Sequence, residues 1–168
     1  SRGGFRFTRP DNLGADVIKH ILAKIPQLDP LRVDDVIVGN AVPEAEQGMQ
    51  MGRYVALLAL PQSVSGITIN RYCGSGVEAI AMASAKINAG MADCIIAGGT
   101  ESMSLVPTMG WKTALNYEIA QNHPDYYLSM GLTAEQVSKD FNISREKQDE
   151  FSFQSHQKAL RAQKEGWF

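Results

Sequence analysis

Apolar residues recur at helical spacing at Leu13, Val17, Ile21, Leu22 and Ile25, with polar residues between them. That period predicts an amphipathic helix, which Asp11 or Asn12 can cap and which Pro26 and Pro30 end. The pattern then changes to a β-branched run, Val33 to Gly39, read as a short strand leading into a Gly-Asn loop. A second apolar helix is predicted from Arg53 to Leu60, stopped by Pro61. A strand from Val64 to Asn70 follows, then a long helix over the apolar stretch from Val77 to Ala89, with Gly90 as its left-handed terminator. Asp93 to Ala97 predicts another buried strand, with Gly98-Gly99 opening the loop after it. Short, nearly all-apolar strands alternating with helices predict an α/β fold, its parallel or mixed sheet covered by helices on both faces.

Beyond Pro107 the period weakens. Residues 108–125 are aromatic and polar and are read as an irregular excursion from the core. Thr133-Ala134-Glu135-Gln136 has the form of a capping box and predicts a short helix through Phe141. Ser144 caps a longer helix to Lys164, with Phe151, Ser155 or His156, Ala159 and Ala162 near one face and Gly166 as its stop. The chain opens without Met and closes on Trp167-Phe168, just past that glycine. Both ends are those expected of a piece of a longer protein.

With 168 residues, 44% apolar and 20% charged, the chain has the composition of a soluble globular protein: one domain, or one and part of a second. A net charge of −2 points to no nucleic-acid and no polybasic membrane partner. The apolar runs are too short to span a bilayer, and no signal peptide is visible. Two cysteines without secretory context are read as reduced thiols, so a cytoplasmic location is expected.

The chemistry concentrates at Asn70-Arg71-Tyr72-Cys73-Gly74-Ser75-Gly76. It lies between a predicted strand and a predicted helix, so Cys73 falls at a helix entrance, where unpaired N–H groups and the positive end of the dipole favour an anion. Such a thiol is a candidate nucleophile for acyl transfer, and the flanking glycines leave room for a ligand. A small buried hydrophobe is the alternative, and the residue pattern alone leaves both open. Cys94, inside an apolar strand, is read as structural. Gly74-x-Gly76-x-x-Ala79 also fits a loose dinucleotide fingerprint, but the acidic residue that would hold a ribose is missing at the end of the next strand, since Asp93 precedes it and Glu101 lies beyond a glycine pair. Gly98-Gly99-Thr100-Glu101-Ser102-Met103-Ser104 would form a loop at the carboxyl edge of the sheet, where it can share a crevice with Cys73. No spacing ties His20, His123 or His156 to Cys73, and each is read as exposed or packing. No residue set has metal-ligand spacing, so no metal is expected. Arg2, Arg6 and Arg9 with Phe5 and Phe7 are read as a solvated, frayed end that could touch a phosphate.

These residues carry a family resemblance. The Cys73 segment resembles the nucleophile motif of the thiolases, and Gly98 to Ser104 resembles their second signature. Ser129-Met130-Gly131-Leu132-Thr133-Ala134-Glu135 is similar to the family's loop-domain segment, and Arg145 to Ala159 to the helix after it. Arg71 and the Asn-x-x-Cys-Gly-Ser-Gly form are most similar to the degradative 3-ketoacyl-CoA thiolases (acetyl-CoA acyltransferases of fatty acid β-oxidation), with the biosynthetic acetyl-CoA acetyltransferases close by. Condensing ketosynthases share a cysteine at such a turn, but the second signature argues against them.

The resemblance implies a thiolase-like α/β fold: the amino-terminal βαβαβαββ half of a layered αβαβα structure, here as residues 1–104 without the first strand. Residues 105–168 would be part of the loop domain. It implies a catalytic Cys73 that takes an acyl group as a thioester, and a Met130 that lines the acyl and CoA pocket. CoA enters as substrate, no cofactor is implied, and a homodimer or homotetramer is expected. Thiolases draw a histidine from Gly-His-Pro and a second cysteine from Cys-x-Gly. Neither segment occurs in this sequence, since Asn122 precedes His123-Pro124 and Ile95 follows Cys94. The chain by itself is therefore expected to be inactive, and an acyl-CoA-binding role without catalysis is the non-enzymatic alternative.

Overall fold

The computed structural model describes residues 3–167. The chain divides into two compact units, Ser1–Thr113 and Ala114–Phe168. In the first unit α1 (Pro10–Lys24), β1 (Asp35–Gly39), α2 (Met51–Ala59), β2 (Ser65–Ile69), α3 (Ser75–Asn88) and β3 (Ile95–Gly99) follow one another. The three strands form a parallel sheet in the order β2-β1-β3. They are the strands described of the expected βαβαβαββ half.

Register and alternation build two cores. Val36 and Val38 of β1, with Ile96 of β3, pack against Ile18 of α1 and Met51, Val55 and Ala56 of α2. Ile37, Ile69, Ile95 and Ala97 face the other way, against Ala79, Met82 and Ala83 of α3. β1 and β3 are thus apolar on both sides, which is why their sequences read as continuous runs rather than alternations.

The row facing α3 tapers along the strands: Asp35, Ile37, Gly39 in β1, and Ile95, Ala97, Gly99 in β3, the two paired residue by residue. At the wide end Lys86 of α3 reaches Asp35 at 2.6 Å. At the narrow end nothing but backbone lies beneath the start of the helix. A Cβ on Gly39 would sit 2.5 Å from the Ser75 carbonyl carbon and 2.7 Å from the Gly76 nitrogen.

On the opposite face α2 lies as close to β2. The Gly52 N–H donates to Thr68 Oγ1 at 2.8 Å. A Cβ on Gly52 would run into the Ile67 backbone, and one on Gly66 into the Gly52 carbonyl. Backbone cannot rotate aside as a side chain can, so Gly52→Ala is expected to destabilise the fold by about 3 kcal/mol, the upper range for overpacking. Urea unfolding would show this as a lower midpoint at an unchanged slope.

Several boundaries differ from the sequence reading. α1 is entered through Arg9, with Pro10 at its first position and no side-chain cap. Asp11, expected as a possible cap, lies within the first turn and holds Arg9 at 2.8 Å. Arg9 is therefore paired rather than frayed, and Arg6 stacks over Phe7 with its guanidinium carbon 4.3 Å from the ring centroid. Arg2 lies outside the described residues, as does Phe168. Gly98 and Gly99 extend β3 instead of opening a loop, because they pair with Val38 and Gly39. Asp34 accepts N–H bonds from Cys94 and Asp93, which hold its carboxyl below the usual aspartate range and fasten the turn before β3 to the start of β1.

The second unit contains α4 (Tyr117–Asn122), a short 3₁₀ turn (Pro124–Tyr127), α5 (Met130–Asp140) and α6 (Arg145–Lys164). The irregular excursion is thus partly helical: the Asn116 side chain accepts the Ile119 N–H and starts α4. α5 begins at Ser129, whose Oγ accepts the Leu132 N–H, and not at Thr133, which sits inside the helix and bonds back to the Ser129 carbonyl. Ser144 caps α6 as expected. Gly90 and Gly166 both have φ of +68°, the left-handed form predicted for Gly90 and one that suits Gly166 as the stop of α6. Of the anticipated face of α6 only Ala162 is buried, while Phe151, His156 and Ala159 are exposed.

Candidate active site

Cys73 stands between β2 and α3 on a turn held by its own side chains. Asn70 Oδ1 accepts the Tyr72 N–H at 2.8 Å. Ser75, only 4% exposed, accepts the Arg71 N–H at 2.8 Å and donates to the Tyr72 carbonyl at 2.6 Å. Together with the Gly74 and Ser75 amides, which bond back to Arg71 and Tyr72, these contacts force Tyr72 to a φ of +46°. A tyrosine there carries about 1–3 kcal/mol of backbone strain, which persists only where its surroundings over-determine it. The result lifts Cys73 onto the surface as a free, exposed thiol just ahead of α3. Gly74 caps that helix with no side-chain bond, and the Gly76 and Val77 amides have no partner among the described residues. This is the helix entrance that the sequence predicted.

The two sequence motifs meet in one crevice of about 370 Å³, which Cys73, Gly76, Gly99, Glu101, Met103 and Val106 line. The bare row of Gly39 and Gly99 makes the meeting possible, since it lets the first turn of α3 rest on the carboxyl ends of β1 and β3. A second hollow, about 380 Å³, lies along α1; it is apolar and contains no cysteine or histidine.

One wall of the crevice is a polar clamp that the sequence reading did not foresee. Glu101 Oε2 accepts the Ala41 N–H at 2.6 Å, and its Oε1 accepts from Val42 N–H at 3.3 Å and Gln47 Nε2 at 2.6 Å. Gln47, 1% exposed, also donates to the Val42 carbonyl and accepts the Ser102 N–H. Beside it Asn40 donates to the Thr100 carbonyl at 3.0 Å. Only the fold brings residues 40–47 to residues 100–102.

Met130, the other candidate, stands at the first position of α5 in the second unit and is 73% exposed. His20 lies on the exposed side of α1. His123 stacks on Tyr126, and His156 is exposed on α6. Cys94 is half-buried against the α1–α2 core. Among the described residues no group of three or more His, Cys, Asp or Glu could hold a metal, and no helix is long and apolar enough to cross a membrane.

The first unit is thus a parallel sheet covered by helices on both faces, with a cysteine at a helix entrance above its carboxyl edge. Residues 1–168 match the family model described as the thiolase N-terminal domain. The chain belongs to the thiolase family. It is 49% identical over 168 residues to a 3-ketoacyl-CoA thiolase of Bacillus subtilis, covering 99% of this chain and 43% of that protein. To a 3-ketoacyl-CoA thiolase of Shewanella loihica it is 42% identical over 167 residues, with the same two shares of 99% and 43%. In structure it resembles the Bacillus anthracis acetyl-CoA acetyltransferase, with a TM-score of 0.79 and 31% identity over 99% of this chain and 45% of that one. The chain thus spans less than half the length of these relatives.

Proposed function

We propose that Cys73 is the acyl-carrying nucleophile of a 3-ketoacyl-CoA thiolase. Cys73 Sγ attacks the 3-keto carbon of a 3-oxoacyl-CoA, and the developing oxyanion takes hydrogen bonds from backbone amides, with the Cys73 N–H as one donor. The bond between C2 and C3 breaks. C2 leaves with the electron pair, gains a proton and departs as acetyl-CoA, while the shortened acyl group stays on Cys73 as a thioester. The thiolate of a second CoA then attacks that acyl carbon and releases Cys73. Met130 would line the acyl and CoA pocket. The groups that accept the thiol proton and return one to C2 are the family's histidine and second cysteine, so the chain alone performs no sustained turnover. A cytoplasmic homodimer or homotetramer is the assembly expected of the complete enzyme.

The observation that carries this reading is the placement of Cys73 at the entrance of α3, in the crevice it shares with the 98–104 segment. A chimera tests it. In it, this chain replaces the matching segment of the B. subtilis relative. Mixed with a 3-oxoacyl-CoA and no free CoA, it is expected to gain the mass of the shortened acyl group on the peptide containing Cys73. A folded chimera that binds CoA and never acquires that adduct would leave an acyl-CoA-binding role instead. The structural likeness to an acetyl-CoA acetyltransferase supports a second reading, with acetyl-CoA condensation as the reaction. A chimera that turns over acetoacetyl-CoA and rejects longer 3-oxoacyl chains would favour it.

A further inference from the structure

We propose that Glu101 is a positioning residue for Cys73, acting through the Ala41 peptide and the Asn70 side chain. The inference deepens the proposed function, since it concerns how the acyl-carrying cysteine is presented.

The path is a chain of hydrogen bonds in which each link fixes the next. Gln47 is nearly inaccessible and both polar atoms of its side chain are bonded, so it holds the Glu101 carboxylate in place. Glu101 fixes the N–H of Ala41 at 2.6 Å. The carbonyl of that same residue accepts Asn70 Nδ2 at 2.9 Å. Asn70 Oδ1 in turn accepts the Tyr72 N–H at 2.8 Å, which holds Tyr72 in its left-handed form directly before Cys73. Asn70 therefore has both ends of its amide committed, one to the turn and one to the loop that Glu101 anchors. A charged acceptor makes the first link strong, and the strain at Tyr72 supplies a turn that relaxes once a link is cut. Relaxation moves the sulfur away from the Gly76 and Val77 amides, which favour an anion at the helix entrance.

The test uses the 168-residue chain and iodoacetamide, with the alkylation rates of Cys73 and Cys94 followed separately by peptide mass spectrometry at one fixed pH. Glu101→Ala and Asn70→Ala are each expected to slow Cys73 about tenfold, the scale of one lost hydrogen bond, and to leave Cys94 unchanged. The double variant is expected to be no slower than either single one, because both cut the same path. Glu101→Gln keeps an oxygen for the Ala41 N–H but turns its amide N–H₂ towards the Gln47 and Val42 donors, so its rate is expected to fall between those of Glu101→Ala and the parent. Should Glu101→Ala not fold, Glu101→Asp carries the same test, its carboxylate one methylene short of Ala41. An unchanged Cys73 rate in the folded Glu101 variant, or two effects that multiply in the double variant, overturns the proposal. So does a faster Cys94 accompanying any change at Cys73, which reports general unfolding. The readout needs no acyl-CoA, so it stands or falls separately from the acyl adduct in the chimera.

Discussion

Cys73→Ala in the chimera is expected to lower 3-oxoacyl-CoA thiolysis by about 10⁴-fold or more, the scale on which removal of a covalent nucleophile acts. The side chain is exposed and makes no hydrogen bond among the described residues, so its truncation leaves the fold within about 0.5 kcal/mol of the parent. That combination separates a chemical role from a structural one. Cys94→Ala should show the opposite balance, since its side chain packs on the α1–α2 core and lies apart from the crevice. Thiolysis rates, adduct mass and urea midpoints measured on the same three proteins check this. Retained turnover in Cys73→Ala would remove the nucleophile from the proposal altogether.

Gly39→Ala is expected to damage both stability and chemistry. The added Cβ would meet the Ser75 carbonyl carbon at 2.5 Å, where ordinary contact begins near 3.4 Å. The first turn of α3 must therefore rise by about 1 Å, and Cys73 is carried with it. Overpacking of this kind costs about 1–3 kcal/mol. Misplacing a reacting group by that distance lowers the rate about 10²-fold. Gly99→Ala is a graded control: its nearest neighbour is the Gly39 carbonyl oxygen at 3.1 Å, a gap that a small shift relieves. Acylation in Gly39→Ala within twofold of the parent would show that the bare row does not set the position of Cys73.

Much of this was legible in the sequence because it rests on local physics. Strand runs such as Val36-Ile37-Val38 need apolar residues on both faces, and Gly90 needs a left-handed residue, so pattern and turn chemistry sufficed. The entrance position of Cys73 followed from the same reasoning. The start of α5 was misplaced because Ser129 and Thr133 both offer a capping hydroxyl, and only the bond from Leu132 shows which one acts. Gly98-Gly99 looked like a turn because glycine is read for its freedom, yet both glycines are extended and paired with β1. Gly39, the partner of Gly99, serves by lacking a side chain beneath α3. The clamp was out of reach, since it joins residues more than fifty positions apart in sequence and no local pattern announces it.

The matched register of the three strands also decides where the chain tolerates a change in length. One residue gained or lost inside β1 or β3 would turn every later side chain over. In β1, Gly39 would leave its place under α3, and the bulk of Val38 would be presented to the wrong helix. Lengthening the stretch between Met103 and Gly110 moves no strand, because β3 has already ended and the next helix begins only at Tyr117. Insertions and deletions are thus forbidden by parity in one stretch and free of it in the other, only a few residues away along the chain.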